Sequence, residues 1–211
     1  MTLSSDLSDP ADEILVLQKN AVRPGRPPRR IPGEEGTWIF IFGDMCVFAV
    51  FFTVYMHSRG KQSVLFRASQ ETLNRNLGAL NTVLLLVSSL FVVMAMRAFR
   101  ARQQVLASRL IVGAFACGVG FVIVKAIEYH AKIAAGITPN TNQFYMYYFI
   151  LTGIHLFHLI VGMIVLTILW RFSRKPELTK NQVAFLEGGA CFWHMVDLLW
   201  LVLFPLIFLV R

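Results

Sequence analysis

The sequence predicts an all-α fold: an integral membrane bundle of five transmembrane helices, with the N-terminus in the cytoplasm and the C-terminus outside. Three observations predict it. Of the 211 residues, 56% are apolar and 15% charged, against roughly 45–50% and 25% in a soluble domain. The apolar residues collect into five stretches, each long enough to cross a hydrocarbon core of about 30 Å at about 1.5 Å per helical residue. The cations collect between those stretches, unequally on the two sides.

This composition excludes a disordered chain and argues against a cytosolic enzyme. The net charge of +8 points to membrane orientation and not to nucleic acid, because the bases flank apolar spans. Cys46, Cys117 and Cys191 lie far apart inside apolar stretches. Their spacing fits no zinc ribbon and no redox pair, and their odd number fits no disulfide framework, so they read as small apolar side chains.

Residues 1–35 stand apart as a tail. They carry Asp6, Asp9, Asp12 and Glu13, then the basic, proline-rich run RPGRPPRRIP, then Glu34 and Glu35. The one apolar patch, ILVL, is too short for a signal-peptide core and follows acids instead of bases. The segment reads as a disordered cytoplasmic tail.

The first span, about 38–57, carries Asp44 on one face with Phe40, Phe48 and Phe51. Asp44 reads as a helix–helix hydrogen bond, as a group in or beside a proton path, or as an interfacial acid. The second span, about 78–97, places Asn81, Thr82, Ser88 and Ser89 within about 120° of one another, a surface for close interhelical packing. The third, about 110–130, sets Lys125, Glu128 and Tyr129 on a face with Phe121 and Gly118. Lys125 and Glu128 are three apart, so they can neutralise each other; a part in carrying protons is the functional alternative.

The fourth span, about 144–170, holds His155, His158 and Gly162 within about 60°. Such a pair suits interhelical hydrogen bonding, and two imidazoles at this spacing also suit a metal or haem. The fifth, about 184–210, groups Trp193, His194, Asp197 and Trp200, with His194 and Asp197 spaced for an imidazole–carboxylate hydrogen bond. Every span therefore carries polar residues on one face. None of the five shows the short alternating strands of a membrane β-barrel. Nothing matches a nucleotide loop, a nucleophile elbow or a zinc-peptidase helix. Glu128 is followed three residues later by Ala131, not the His of a di-iron site.

Lys and Arg counts orient the bundle. The tail and the 2–3 and 4–5 connections hold thirteen, including Arg97, Arg100, Arg102, Arg109, Arg171, Arg174 and Lys175. The 1–2 and 3–4 connections and the C-terminus hold six. The richer side is cytoplasmic.

The order of motifs resembles subunit III of the haem–copper oxidases, the cytochrome c oxidase subunit III family, over about residues 36–210. The matching residues are Trp38 and Phe40 before Gly43-Asp44, Asn81-Thr82 with Ser88-Ser89, and Glu128-Tyr129. They continue with Thr152-Gly153 before His155 and His158, Gly162, and Trp193-His194 before Val196-Asp197. The resemblance implies an accessory, non-redox subunit that binds no haem, copper or other metal and has no catalytic residues of its own. It implies packing against catalytic subunit I, which holds the haem and copper, together with phospholipid binding in a cleft and support of proton uptake. It implies a bacterial cytoplasmic (inner) membrane location. Asp44, Lys125, Glu128, His155, His158, His194 and Asp197 would form the proton path or buried polar interior. Asn81, Thr82, Ser88, Ser89, Gly153 and Gly162 would serve helix packing.

Three departures accompany the resemblance. Asp44 stands where the family usually has a carbodiimide-reactive glutamate, and Lys125 where oxidases usually have Gln. The five spans also lack the first two helices of the seven-helix form, which wall one side of its lipid cleft. The Gly-Asp and Lys-x-x-Glu-Tyr variants look more like the branch associated with nitric oxide reductases. Two other readings remain at this point: a stand-alone di-haem membrane cytochrome using His158 and His194, and a small proton-coupled transporter.

Overall fold

The computed structural model describes residues 35–175 and 178–210. The expected disordered tail lies outside them, except that its last residue, Glu35, opens the first helix. The described elements are α1 (Glu35–Lys61), α2 (Ser63–Glu71), α3 (Arg75–Arg100), α4 (Gln104–Ala134), α5 (Gln143–Ser173), α6 (Lys180–Phe204) and a π-helical turn, Pro205–Leu209. Five of the helices are long and apolar enough to cross a membrane, and no strand occurs among the described residues.

Each spanning helix begins before the apolar run that predicts it, and polar caps set the starts of α3, α5 and α6. Asn74 accepts from the backbone N–H groups of Asn76 and Leu77, and Asn142 from that of Tyr145. Thr179 and Gln182 form a reciprocal capping box. Such caps satisfy N–H groups that the first turn leaves unpaired. Two tight C-terminal exits follow the same logic. The Gln103 N–H reaches the Ala98 carbonyl at 2.9 Å and the Ile137 N–H reaches that of Lys132 at 3.0 Å. Both exits place one residue in the left-handed region, Arg102 (φ 57°) and Gly136 (φ 74°).

Two features differ from the sequence expectation. The 1–2 connection is not a plain loop: α2 packs Phe66, Ser69 and Gln70 inward. At the other end of the chain Pro205 lacks the N–H that α-helical bonding requires, and the chain widens into the π-helical turn, closed by the Val210 N–H on the Pro205 carbonyl at 2.9 Å. Gln70 Nε2 donates to the Ile207 carbonyl of that turn at 2.7 Å, so the two unexpected elements support each other.

Helices α3, α4, α5 and α6 pack in a ring, each against its neighbours, and α1 lies outside against α5 and α6. Trp193 is the hub. It is fully buried on α6, and its Nε1 donates to Ser88 Oγ on α3 at 3.1 Å. Ser88 in turn donates to the Ala114 carbonyl on α4 at 3.0 Å. A Cβ added at Gly162 on α5 would stand 2.8 Å from the indole, and one at Gly118 on α4 3.2 Å. Trp193 thus touches all three other members of the ring, and the two glycines give its ring room.

Candidate functional site

The polar residues of the five spans assemble into separate groups. The first joins α1 to α5. His158 Nε2 stands 2.9 Å from Asp44 Oδ2 and 3.1 Å from Oδ1. The other ring nitrogen, Nδ1, is 2.8 Å from the Ile154 carbonyl. A carbonyl only accepts, so Nδ1 carries a proton. The Nε2–carboxyl axis then holds one further proton, as imidazolium with carboxylate or as imidazole with carboxylic acid. Phe48, completely buried, sets its ring edge-on to His158 at 5.4 Å.

The second group lies within α4. Lys125 Nζ donates to Glu128 Oε2 at 2.9 Å, and both side chains are almost fully enclosed. Lys125 also reaches Tyr148 Oη at 3.4 Å. Four rings surround its ammonium, those of Tyr148, Trp200, Phe208 and Tyr129, with centroids 5.0, 5.1, 5.6 and 5.7 Å away. A buried charge is costly unless paired and solvated by the protein, and here one carboxylate, one phenol and four ring faces replace water. Beside it, Thr152 donates to the Tyr148 carbonyl at 2.6 Å, which leaves Tyr129 Oη to donate to Thr152 Oγ1, also at 2.6 Å.

His155 belongs to neither pair. It is completely buried between the rings of Phe121 (5.5 Å) and Trp200 (5.1 Å), and neither of its nitrogens has a hydrogen-bond partner. Although His155 and His158 share a helical sector, their imidazoles serve different neighbours. His194 and Asp197 also depart from expectation. The His194 imidazole turns to Ser89 Oγ on α3, 2.8 Å from Nδ1. Neither oxygen of Asp197 has a hydrogen-bond partner. An interhelical hydroxyl has displaced the intrahelical pairing.

The packing residues divide likewise. Thr82 Oγ1 donates to the Gly78 carbonyl at 2.9 Å and accepts from Trp200 Nε1 at 3.1 Å. Asn81 is completely buried, with neither amide atom bonded. Gly162 makes a close approach, but a Cβ at Gly153 would meet only Tyr129 Oη, at 4.0 Å, an ordinary contact. Tyr148, Trp200 and Phe208, which enclose Lys125, were not legible as one group; only the i, i+3 spacing of Lys125 and Glu128 marked the spot. Among the described residues no group of three or more His, Cys, Asp or Glu side chains is placed to hold a metal ion.

An apolar groove of about 410 Å³ opens between the start of α1 and helices α5 and α6, lined by Thr37, Phe40, Val165, Phe185 and Phe192 among others. At its floor Thr37 packs on Gly188, where a Cβ would come within 3.1 Å of the hydroxyl.

The family model described as "Cytochrome c oxidase subunit III" matches residues 34–210. Among curated proteins, the cytochrome bo(3) ubiquinol oxidase subunit 3 of Buchnera aphidicola subsp. Acyrthosiphon pisum is 32% identical over 178 residues, covering 82% of this chain and 84% of that protein. The cytochrome c oxidase subunit 3 of Synechocystis is 26% identical over 175 residues, with 82% and 74% covered. The heme-copper oxidase subunit I+III of Aeropyrum pernix is 23% identical over 183 residues, covering 84% of this chain and 22% of that protein.

Proposed function

The chain belongs to the cytochrome c oxidase subunit III family, and from that premise we propose that it is the accessory, non-redox subunit of a respiratory haem–copper complex. It packs against catalytic subunit I, which carries the haem and copper, in the cytoplasmic membrane of a bacterium. The observation that carries this reading is the match itself. It runs through all five spanning helices, and one relative bears the name subunit I+III, so the partner implied is the one that relative's name joins to it.

The chain contributes no redox centre to this complex; its own groups bind, pack and hold protons. The Asp44–His158 pair holds one mobile proton at the seam between α1 and the bundle. Lys125 with Glu128 fills the position where oxidases usually have Gln with a self-neutralising charge. The finer reading assigns the chain to the branch associated with nitric oxide reductases, supported by Asp44 and by Lys125 with Glu128 and Tyr129. Its cytoplasmic side is the one bearing Arg97, Arg100, Arg109 and Arg174, by the excess of cations there. The groove between α1, α5 and α6 is the part of a phospholipid cleft that five helices can supply.

The di-haem reading fits less well, because both ring nitrogens of His158 are already engaged. The transporter reading has no inverted repeat or broken helix pair to support it.

Deletion and complementation test the proposal. Membranes lacking the chain should assemble an oxidase or reductase that starts turning over and then inactivates, and restoring the full chain should abolish that decay. Unchanged assembly and unchanged durability without the chain would contradict the accessory role. The Asp44→Asn variant tests the protonic part separately: unchanged turnover across pH, with normal assembly, removes it.

A further inference from the structure

We propose that the seam between α4 and α5 binds one anionic phospholipid, with its phosphate between Arg109 and Arg174 and one acyl chain along the groove beneath. Two cavities open there and share Trp170. The first, about 450 Å³, is lined by Ser108, Arg109, Trp170 and Arg174 among others. The second, about 230 Å³, is walled almost wholly by apolar side chains, Ile111, Phe115 and Leu166 among them. Arg109 and Val112 are three apart on α4, and Leu166 and Trp170 four apart on α5, so the second cavity continues the first on the same helix faces. From Arg174 to Leu166 the groove runs about 12 Å along the helix, most of one leaflet of about 15 Å.

The charge pattern selects the headgroup. Both arginines are exposed, and neither is in an ion pair with a carboxylate among the described residues. The Arg174 guanidinium lies 5.1 Å over the Trp170 ring, which fixes it at the mouth of the cavity and at the depth Trp favours in a bilayer. The cavity also meets the first turn of α4, where Gln103 supplies no side-chain cap, so the helix dipole adds to the attraction for an anion. A zwitterionic headgroup would bring its own cation beside two arginines; an anionic one brings none. This seam is separate from the groove beside α1. The inference rests on the membrane-spanning fold alone, so it stands or falls independently of the oxidase partner.

Photo-crosslinking tests it. The purified full-length chain in phosphatidylcholine nanodiscs is irradiated with a trace of phosphatidylglycerol carrying a diazirine on one acyl chain. Label should concentrate on residues 108–115 and 166–174, and unlabelled phosphatidylglycerol should displace it while phosphatidylcholine does not. Arg109→Gln with Arg174→Gln should cut capture by about thirtyfold, and Arg67→Gln with Arg75→Gln, at the opposite end of the bundle, should leave it unchanged. Val112→Trp keeps both arginines but fills the groove, and it should cut capture as well. Label spread evenly over the five helices, equal displacement by phosphatidylcholine, or undiminished capture in both test variants would overturn the proposal. So would a seam that takes up no label when the intact complex is irradiated with the same probe.

Discussion

Lys125 and Glu128 pair within one helix and are nearly sealed, at 1% and 3% exposure; Asp44 and His158 pair between two helices and stay partly open, at 14% and 13%. The first pair exists as soon as α4 is helical, since residues three apart share a face. What folding adds is its enclosure, by rings from α5, α6 and the π-helical turn. The second pair exists only when α1 docks. Within their most apolar windows, 11% of α1 is buried against 56% of α6, so α1 is held by few contacts. Asp44–His158 and the Ser58–Tyr147 hydrogen bond at 2.8 Å are polar contacts that fix its position on α5. The sealed pair thus belongs to the stability of the ring, and the open pair to the attachment of its outer helix.

The largest effect should come from breaking the sealed pair on one side. Glu128→Ala leaves an uncompensated ammonium in the bundle and should cost about 3 kcal/mol or more, read as a fall in the thermal midpoint in detergent. Lys125→Met combined with Glu128→Gln should recover most of that loss, because no charge remains to be solvated.

Gly162→Ala comes next. Its methyl would meet the Trp193 ring at 2.8 Å, with no room to move at the hub of the ring, at a cost of about 1–3 kcal/mol. Gly153→Ala, with its nearest contact at 4.0 Å, should be neutral in the same assay.

Asp44→Asn should cost less, about 1 kcal/mol, and its effect should be local. Hydrogen exchange should quicken along α1 and leave α3–α6 unchanged, which separates attachment from ring stability. An equal change in both regions would erase the distinction drawn between the two pairs. The smallest effect is a gain. Arg102 occupies the left-handed region at φ 57°, and Arg102→Gly should stabilise the α3–α4 exit by up to about 1 kcal/mol, visible as a small rise in the thermal midpoint.

How much of this was legible in the sequence depends on how far apart the partners lie. The five spans were, because a bilayer demands long apolar runs. Their true starts at Arg75, Gln143 and Lys180 were not, because hydropathy marks the apolar stretch while Asn74, Asn142 and Thr179 cap the helix outside it. The Lys125–Glu128 contact was legible from local spacing. The Asp44–His158 contact, 114 residues apart, was not: periodicity names the face of a helix but not the helix it meets. The same limit explains His194, whose local spacing suggested Asp197 until Ser89, 105 residues away, proved to be its partner. Helix α2 escaped notice because its nine residues are too short and too polar to stand out, and its contacts with α1, α5 and the π-helical turn make it part of the fold.

The most direct test of the central claim is to tag the chain, purify it from native membranes in mild detergent, and record the absorption spectrum with the identity of every co-purifying subunit. The account predicts a haem-bearing catalytic subunit in equal amount, with the haem remaining on that subunit when the chain is stripped away, and the partner's metal content decides between oxidase and nitric oxide reductase. A chain that purifies alone and carries a Soret band of its own would contradict it.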